Sequence, residues 1–181
     1  MPERPCAVVV GGPNGAGKTT ISRAALSESF GLTEFVNADA IASGLSGFDP
    51  ERSAMEAGRV MLKRLRDLAR RGTSFAFEST LASRTFAPWL RKLIAEDYEV
   101  HLLYVWLRSP RLAVRRVHER VLDGGHAIPH EVIERRYVRS CANLLRLYLP
   151  LAMSWRILDN SGKRPGVIGL KDPRISEDNV V

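Results

Sequence analysis

Cysteine is almost missing from this chain: 181 residues contain only Cys6 and Cys141. That excludes a disulfide framework and fits a reducing cytoplasm, with Cys6 inside an apolar run where small buried thiols are common. No apolar run approaches 18 residues, and the start MPERPC has no long apolar core. Neither a membrane span nor a signal peptide is therefore readable. Aromatic residues reach only 7%, and they are not interleaved with the basic ones as a single-strand stacking platform requires. Internal repeats, low-complexity runs and an interdomain linker are also lacking. With 45% hydrophobic and 26% charged residues, the expectation is one soluble globular domain over residues 1–181.

Acid is scarce where base is dense. From Arg108 to Arg146 there are nine arginines, no lysine and four acids, a net of +5 in a chain whose formal charge is +7. Guanidinium forks grip phosphate oxygens bidentately, so the excess points to an anionic partner. A solvated helix face explains such a run equally simply, and attraction to nucleic acid is a further reading.

The pattern along the chain alternates strands and helices. Strands are expected at Cys6–Val10, Glu34–Asn37, Phe75–Phe77, Glu99–Leu107 and Trp155–Leu158. Helices are expected at Thr19–Glu28, at Pro50–Arg71, from Thr85–Ala87 onward with Pro88 in the first turn, at Pro110–Leu122 and at Pro129–Leu149. In the second of these, Met55, Met61, Leu62, Leu65 and Leu68 form the apolar side, and Gly72 ends the helix. The chain beyond Leu158 receives no element. This alternation predicts an α/β fold: five strands, mainly parallel, helices on both faces, and working residues past the carboxyl ends of the strands.

One motif is unambiguous. Gly12, Gly17, Lys18 and Thr19 satisfy G-x-x-x-x-G-K-[ST] between an expected strand and an expected helix. The stretch Gly12, Pro13, Asn14, Gly15, Ala16, Gly17, Lys18, Thr19, Thr20 is the candidate nucleotide cradle. Its glycines let successive N–H groups turn inward, and the helix start adds positive dipole. Lys18 would reach the β- and γ-phosphates, and the Thr19 hydroxyl would serve Mg²⁺.

The later strand ends carry polar groups. VNADAIA puts Asp39 twenty-one residues after Lys18, and FAFEST brings Glu78, Ser79 and Thr80. Asp39 suits a general base for an acceptor hydroxyl; equally, Asn37 or Asp39 caps a short helix. Glu78 to Thr80 hold a polar acceptor or lead into a helix. Arg116 and Arg120 share a helical face, and Arg135, Arg136 and Arg139 start the next helix, so residues 110–140 read as an arginine-bearing lid with Gly124 and Gly125 as its flexible corner. Asp159 to Ser161 lie where a base contact belongs, and equally suit a plain turn.

The ordered set GGPNGAGKTT, VNADAIA, FAFESTLASRTF, SPRLAVRRVHERVLDGGHAIPHEVIERRY and ILDNS resembles the zeta-toxin-like P-loop kinases, and more closely their short branch often labelled predicted ABC-type ATPase. The resemblance runs from about Val8 to Ser161. It implies a P-loop kinase fold with a helical lid, and transfer of the γ-phosphate of ATP or GTP to the hydroxyl of a small acceptor. UDP-N-acetylglucosamine or another nucleotide sugar is the implied acceptor, and the toxin role implies an antitoxin partner. Carried over by position, Lys18 and Thr19 serve phosphate and metal, Asp39 is the base, Glu78 and Thr80 line the acceptor pocket, and Arg116 or Arg120 neutralises the transferring group. Asn37 stands where the larger toxins carry aspartate. His126 stands where they carry a lid arginine, a loss that Arg135 or Arg136 would offset. The competing functions are a polynucleotide or tRNA-end kinase and a partner-regulated ATPase module without an acceptor.

Overall fold

The computed structural model describes residues 4–22, 32–45, 50–125 and 127–173. Six strands form one sheet: β1 (Cys6–Gly11), β2 (Phe35–Val36), β3 (Phe75–Ser79), β4 (Glu99–Trp106), β5 (Ser154–Asp159) and β6 (Gly166–Lys171). Their order is β2-β3-β1-β4-β5-β6, parallel up to β5 and antiparallel between β5 and β6. The α/β fold stands, with six strands rather than five. β6 was hidden because GVIGLK has two glycines and no alternation, and its Val167, Ile168 and Leu170 stay exposed.

β1 lies between β3 and β4, with Val9 aligned to Phe77 on one side and Leu102 on the other. Covered on both faces, Ala7 to Val10 are all buried, which accounts for a strand of unbroken apolar residues. One face carries α3 (Pro50–Arg70) and α4 (Phe86–Ala95), through Met61, Leu65, Leu68, Leu90 and Leu93. Phe75, Phe77, Phe86, Trp89 and Tyr98 form an aromatic group there, with the Phe77 and Phe86 rings 4.9 Å apart. The other face receives α5 (Pro110–Leu122), whose Leu112, Ala113 and Val117 pack on Val105 and Leu107. α1 opens at residue 18 and is described through 22; the rest of the helix expected at Thr19–Glu28 lies outside the described residues.

The helix boundaries refine the expectation. α2 (Ala38–Leu45) follows β2 directly. α3 closes at Gly72 in the left-handed region, φ 63°, with Gly72 N–H on Ala69 O and Thr73 N–H on Leu68 O. Met55, expected on the apolar side of α3, is 75% exposed, because the core-facing stripe runs through Ala57, Met61, Leu65 and Leu68 and Met55 lies on the side that faces the cleft. The helix expected at Pro129–Leu149 is two pieces: α6 (His130–Asn143) and a π-helical turn, Leu144–Tyr148, where Leu149 N–H reaches Leu144 O at 2.9 Å. The widened turn brings both Leu144 and Tyr148 into the core. Among the described residues, no helix is long and apolar enough to cross a membrane.

Candidate functional site

The cradle is shaped by close backbone approaches. Gly12 has φ 146°, and a Cβ there would stand 2.3 Å from the Val105 carbonyl oxygen. Gly15 has φ 73°, and its Cβ would meet Ala113 O of α5 at 2.7 Å. Only glycine fits either place. On the outer side, Asn160 donates Nδ2–H to Ala16 O at 2.8 Å, and its own N–H bonds Trp106 O. Ser161 Oγ accepts from Arg108 N–H at 2.8 Å. The Asp159–Ser161 turn thus clasps the cradle from behind and does not line the cleft.

Lys18 is buried at the start of α1, 8% exposed. Its Nζ donates to Pro13 O at 3.0 Å and lies 3.8 Å from Glu78 Oε1. Burial pushes the ammonium below the ordinary lysine value; the negative charges of Glu78 and Asp39 work against that, and Arg120 works with it. Arg120 is therefore the α5 arginine whose charge is felt at Lys18, whereas Arg116 sits by its Cβ beside Gly15. Asn14 Oδ1 is buried with no hydrogen-bond partner among the described residues. An acceptor left this way costs about 1–3 kcal/mol until a donor reaches it.

Glu78 is the next-to-last residue of β3, in register with Val10, the next-to-last residue of β1. One of its oxygens, Oε2, accepts from Thr19 Oγ1 at 2.8 Å and from Asn37 Nδ2 at 2.9 Å. Asn37 resolves the question of the cap. Its Oδ1 accepts from Asp39 N–H at 2.7 Å and Ala40 N–H at 3.2 Å, so Asn37 caps α2 and the Asp39 carboxylate is left exposed on the cleft.

The cleft has a volume of about 1240 Å³. It brings together Asn14, Gly15, Gly17, Lys18, Thr19 and Thr20 with Asn37, Asp39, Glu78 and Thr80, and with Arg116, Arg120, Arg135 and Arg136. Gly12, Pro13 and Ala16 shape the cradle from beneath without lining the cleft. His126 lies outside the described residues. One lining arginine was not picked out from the sequence, Arg59 of α3; Arg139 of α6, expected on the returning helix, lines the cleft beside Arg135 and Arg136. Arg59 reads as a solvated charge, and only the second small-and-apolar stripe of Met55, Gly58 and Leu62 marks that side of α3 as facing something.

The stretch after β3 is held by hydrogen bonds from α6 and the π-helical turn. Ser140 Oγ donates to Thr80 O, Asn143 Nδ2 to Leu81 O at 2.8 Å, and Tyr148 OH to Ser83 O at 2.7 Å. Leu81, fully buried with φ 55°, holds a conformation that bulky residues seldom adopt, and these bonds keep it there. The C-terminal end of α6 is therefore tied to the stretch that follows β3. Gly124 and Gly125 follow the end of α5 directly. Their N–H groups close on Val121 O and Arg120 O, capping α5 tightly. Arg115 pairs outward with Glu119 at 3.5 Å, away from the cleft.

For Mg²⁺ the available donors, the Thr19 hydroxyl and the Glu78 and Asp39 carboxylates, are hard oxygens on one cleft and fit that ion. Among the described residues, no group of three or more His, Cys, Asp and Glu forms a metal cage.

Comparison with known proteins agrees with this geometry. The family model described as AAA domain, AAA_33, matches residues 8–139. A Haemophilus influenzae protein described only as uncharacterized is 25% identical over 126 residues, 70% of this chain and 88% of its own. The structure of the PezAT chromosomal toxin-antitoxin system of Streptococcus pneumoniae superposes with TM-score 0.66 at 21% identity, over 93% of this chain and 72% of that one. The AvrRxo1-ORF1:-ORF2 structure with ATP gives TM-score 0.69 at 18% identity, over 92% of this chain and 58% of that one. With the cradle, the sheet order and the cleft in one frame, the chain belongs to the AAA domain family and has the P-loop kinase fold that its zeta-toxin-like motifs implied.

Proposed function

We propose that this protein is a phosphotransferase that moves the γ-phosphate of ATP or GTP to the hydroxyl of a small acceptor. The observation that carries the reading is the position of Asp39. It is exposed on the first turn of α2, in the same cleft as Lys18 and Thr19, and its charge acts on Lys18. A carboxylate so placed takes the proton from an acceptor hydroxyl as that oxygen attacks the γ-phosphorus in line. The bond to the β,γ-bridging oxygen breaks, and the nucleoside diphosphate leaves with that electron pair.

Each other residue has a part. Lys18 leaves the Pro13 carbonyl for the β- and γ-phosphates, exchanging a neutral acceptor for a charged one. Thr19, with Glu78 beside it, would hold Mg²⁺, which when bound neutralises phosphate charge. Arg116 and Arg120 from α5, with Arg135 and Arg136 from α6, stabilise charge on the transferring group and keep water out. Thr80 and the α3 wall of Met55, Gly58, Arg59 and Leu62 receive the acceptor.

A nucleotide sugar such as UDP-N-acetylglucosamine is the acceptor we propose, with the toxin of a toxin–antitoxin pair as the biological setting. The similarity in fold to the structure of the PezAT toxin-antitoxin system supports that setting. A second reading, kinase action on a nucleic-acid end, is favoured by the arginine lining of the cleft. The deciding experiment incubates the protein with γ-labelled ATP and a cell extract and identifies the labelled product. A labelled nucleotide sugar supports the first reading. Labelled RNA, formed with a steep loss in added salt, supports the second. ATP hydrolysis that no acceptor stimulates would sink both in favour of an ATPase module.

A further inference from the structure

Asn37 is buried, 8% exposed, and both ends of its amide are committed. The cap on α2 fixes which end is which. Oδ1 must face the N–H groups of Asp39 and Ala40, so Nδ2 must face Glu78. The same Glu78 oxygen receives the Thr19 hydroxyl. A continuous chain of hydrogen bonds therefore runs from Thr19 in the nucleotide cradle, through Glu78 at the tip of β3 and the Asn37 amide, to the backbone N–H of Asp39. Donor side and acceptor side meet through one amide group.

We infer that Asn37 is a positioning residue and not a substrate contact: its amide locks Glu78 onto Thr19 and sets Asp39 in register with the donor cradle. The inference rests on the reading of Asp39 and Thr19 under Proposed function for its consequence, but the lock itself stands on geometry alone. The polarity is specific. An aspartate here would cap α2 as well as asparagine does, yet would turn a second carboxylate oxygen toward Glu78 in place of a donor. Serine would also cap, but its hydroxyl is too short to reach Glu78 while doing so. A side chain whose only task was to cap would be replaced by either at little loss; one that locks Glu78 would not.

The test is a double-mutant cycle with two readouts, melting of the nucleotide-free protein and affinity for the magnesium complex of a slowly hydrolysed ATP analogue. Asn37→Asp should lower the melting temperature by about 4 °C or more when Glu78 is intact, and by less than half of that in the Glu78→Gln background. Glu78→Gln restores a donor facing the introduced carboxylate: with the new amide nitrogen in the place of Oε2, one N–H turns toward residue 37 and the other toward the Thr19 hydroxyl, which accepts instead of donating. In binding, Asn37→Asp should weaken the analogue by about tenfold or more, and the double variant should return to within about threefold of Glu78→Gln alone. Asn37→Ser should lose about threefold to tenfold and show no gain from Glu78→Gln. Additive effects in both readouts, or an Asn37→Asp protein that melts and binds like the wild type, overturn the inference. If Asn37→Asp alone does not fold, folding of the double variant decides for the lock and its failure decides against it. Should the wild type not bind the analogue at all, the proposed function falls, and the melting cycle still settles Asn37.

Discussion

The two walls of the cleft are built in different ways. The donor wall is backbone: Gly12 against Val105, Gly15 against Ala113, and the carbonyl of Pro13 holding the Lys18 ammonium. The cradle itself, residues 12–20, is one continuous stretch, and a short motif suffices to specify it. The acceptor wall is side chains gathered from α2, α3, α5, α6 and the Ser79–Phe86 loop, residues up to about a hundred positions apart. A phosphate is the same in every nucleotide, so a fixed backbone cradle serves it. An acceptor varies, and side chains on separate helices vary with it while the cradle stays put. Under the proposed transfer, specificity would therefore reside in the second wall.

The sharpest way to break the donor wall is Lys18→Met. ATP-dependent turnover should fall by about three or more decades, since the charge lost faces the transferring group. Burial holds the Lys18 ammonium at a cost, shown by its lowered pKa, so the nucleotide-free variant should melt at or above the wild-type temperature. Calorimetry on the apo protein checks this. A large drop in melting temperature would mean that Lys18 is structural cement for Glu78 rather than a phosphate ligand.

Asp39→Asn tests the junction between the walls. Turnover should fall by about two or more decades while ATP affinity stays within a few-fold. Asparagine keeps the size and the cap is untouched, because Asn37 supplies it. Parallel losses in turnover and binding would count Asp39 as part of the donor cradle and erase the distinction between walls.

Arg59→Ala probes the acceptor wall where it is most remote from the cradle. Among the described residues no ion pair holds this side chain, and it lines the cleft from α3. In the labelled-extract assay the half-saturating amount of acceptor should rise about tenfold, with the ATP dependence unchanged, as expected for one charge-assisted contact. An unchanged acceptor dependence would remove α3 from the acceptor wall.

Legibility in the sequence follows the same division. The cradle, the strand alternation and Asp39 were readable because each is local: a motif, a period, or a distance from Lys18 to the next strand tip. Arg59 was not, because a charge on an exposed helix face looks the same whether it meets solvent or a cleft. Asn37 was seen, but its amide engages Glu78 forty-one residues away, a pairing that no local pattern announces. β6 escaped because glycines broke its alternation. The π-helical turn escaped because it adds one residue to a helical period without changing composition, and only the distant carbonyls of Leu81 and Ser83 explain it.

The smallest effect expected is also the cleanest in form. Tyr148 is buried, and its hydroxyl donates to Ser83 O at 2.7 Å, one of three bonds that shape the acceptor loop. Tyr148→Phe removes that bond with little change in volume, so about 1 kcal/mol of stability should go. Burial pushes the Tyr148 phenol up to about 12 from its ordinary value of 10.0. The folded protein therefore holds this proton more tightly than the unfolded chain does. The stability so contributed is complete below about pH 10 and is lost as pH rises toward about 12. Phenylalanine has no such proton. Denaturant melts of the two proteins should differ by a constant amount up to about pH 10 and converge above it. A difference that stays constant through about pH 12 would mean the phenol is not held in the fold as its bond to Ser83 requires, and the acceptor loop would then depend on Ser140 and Asn143 alone.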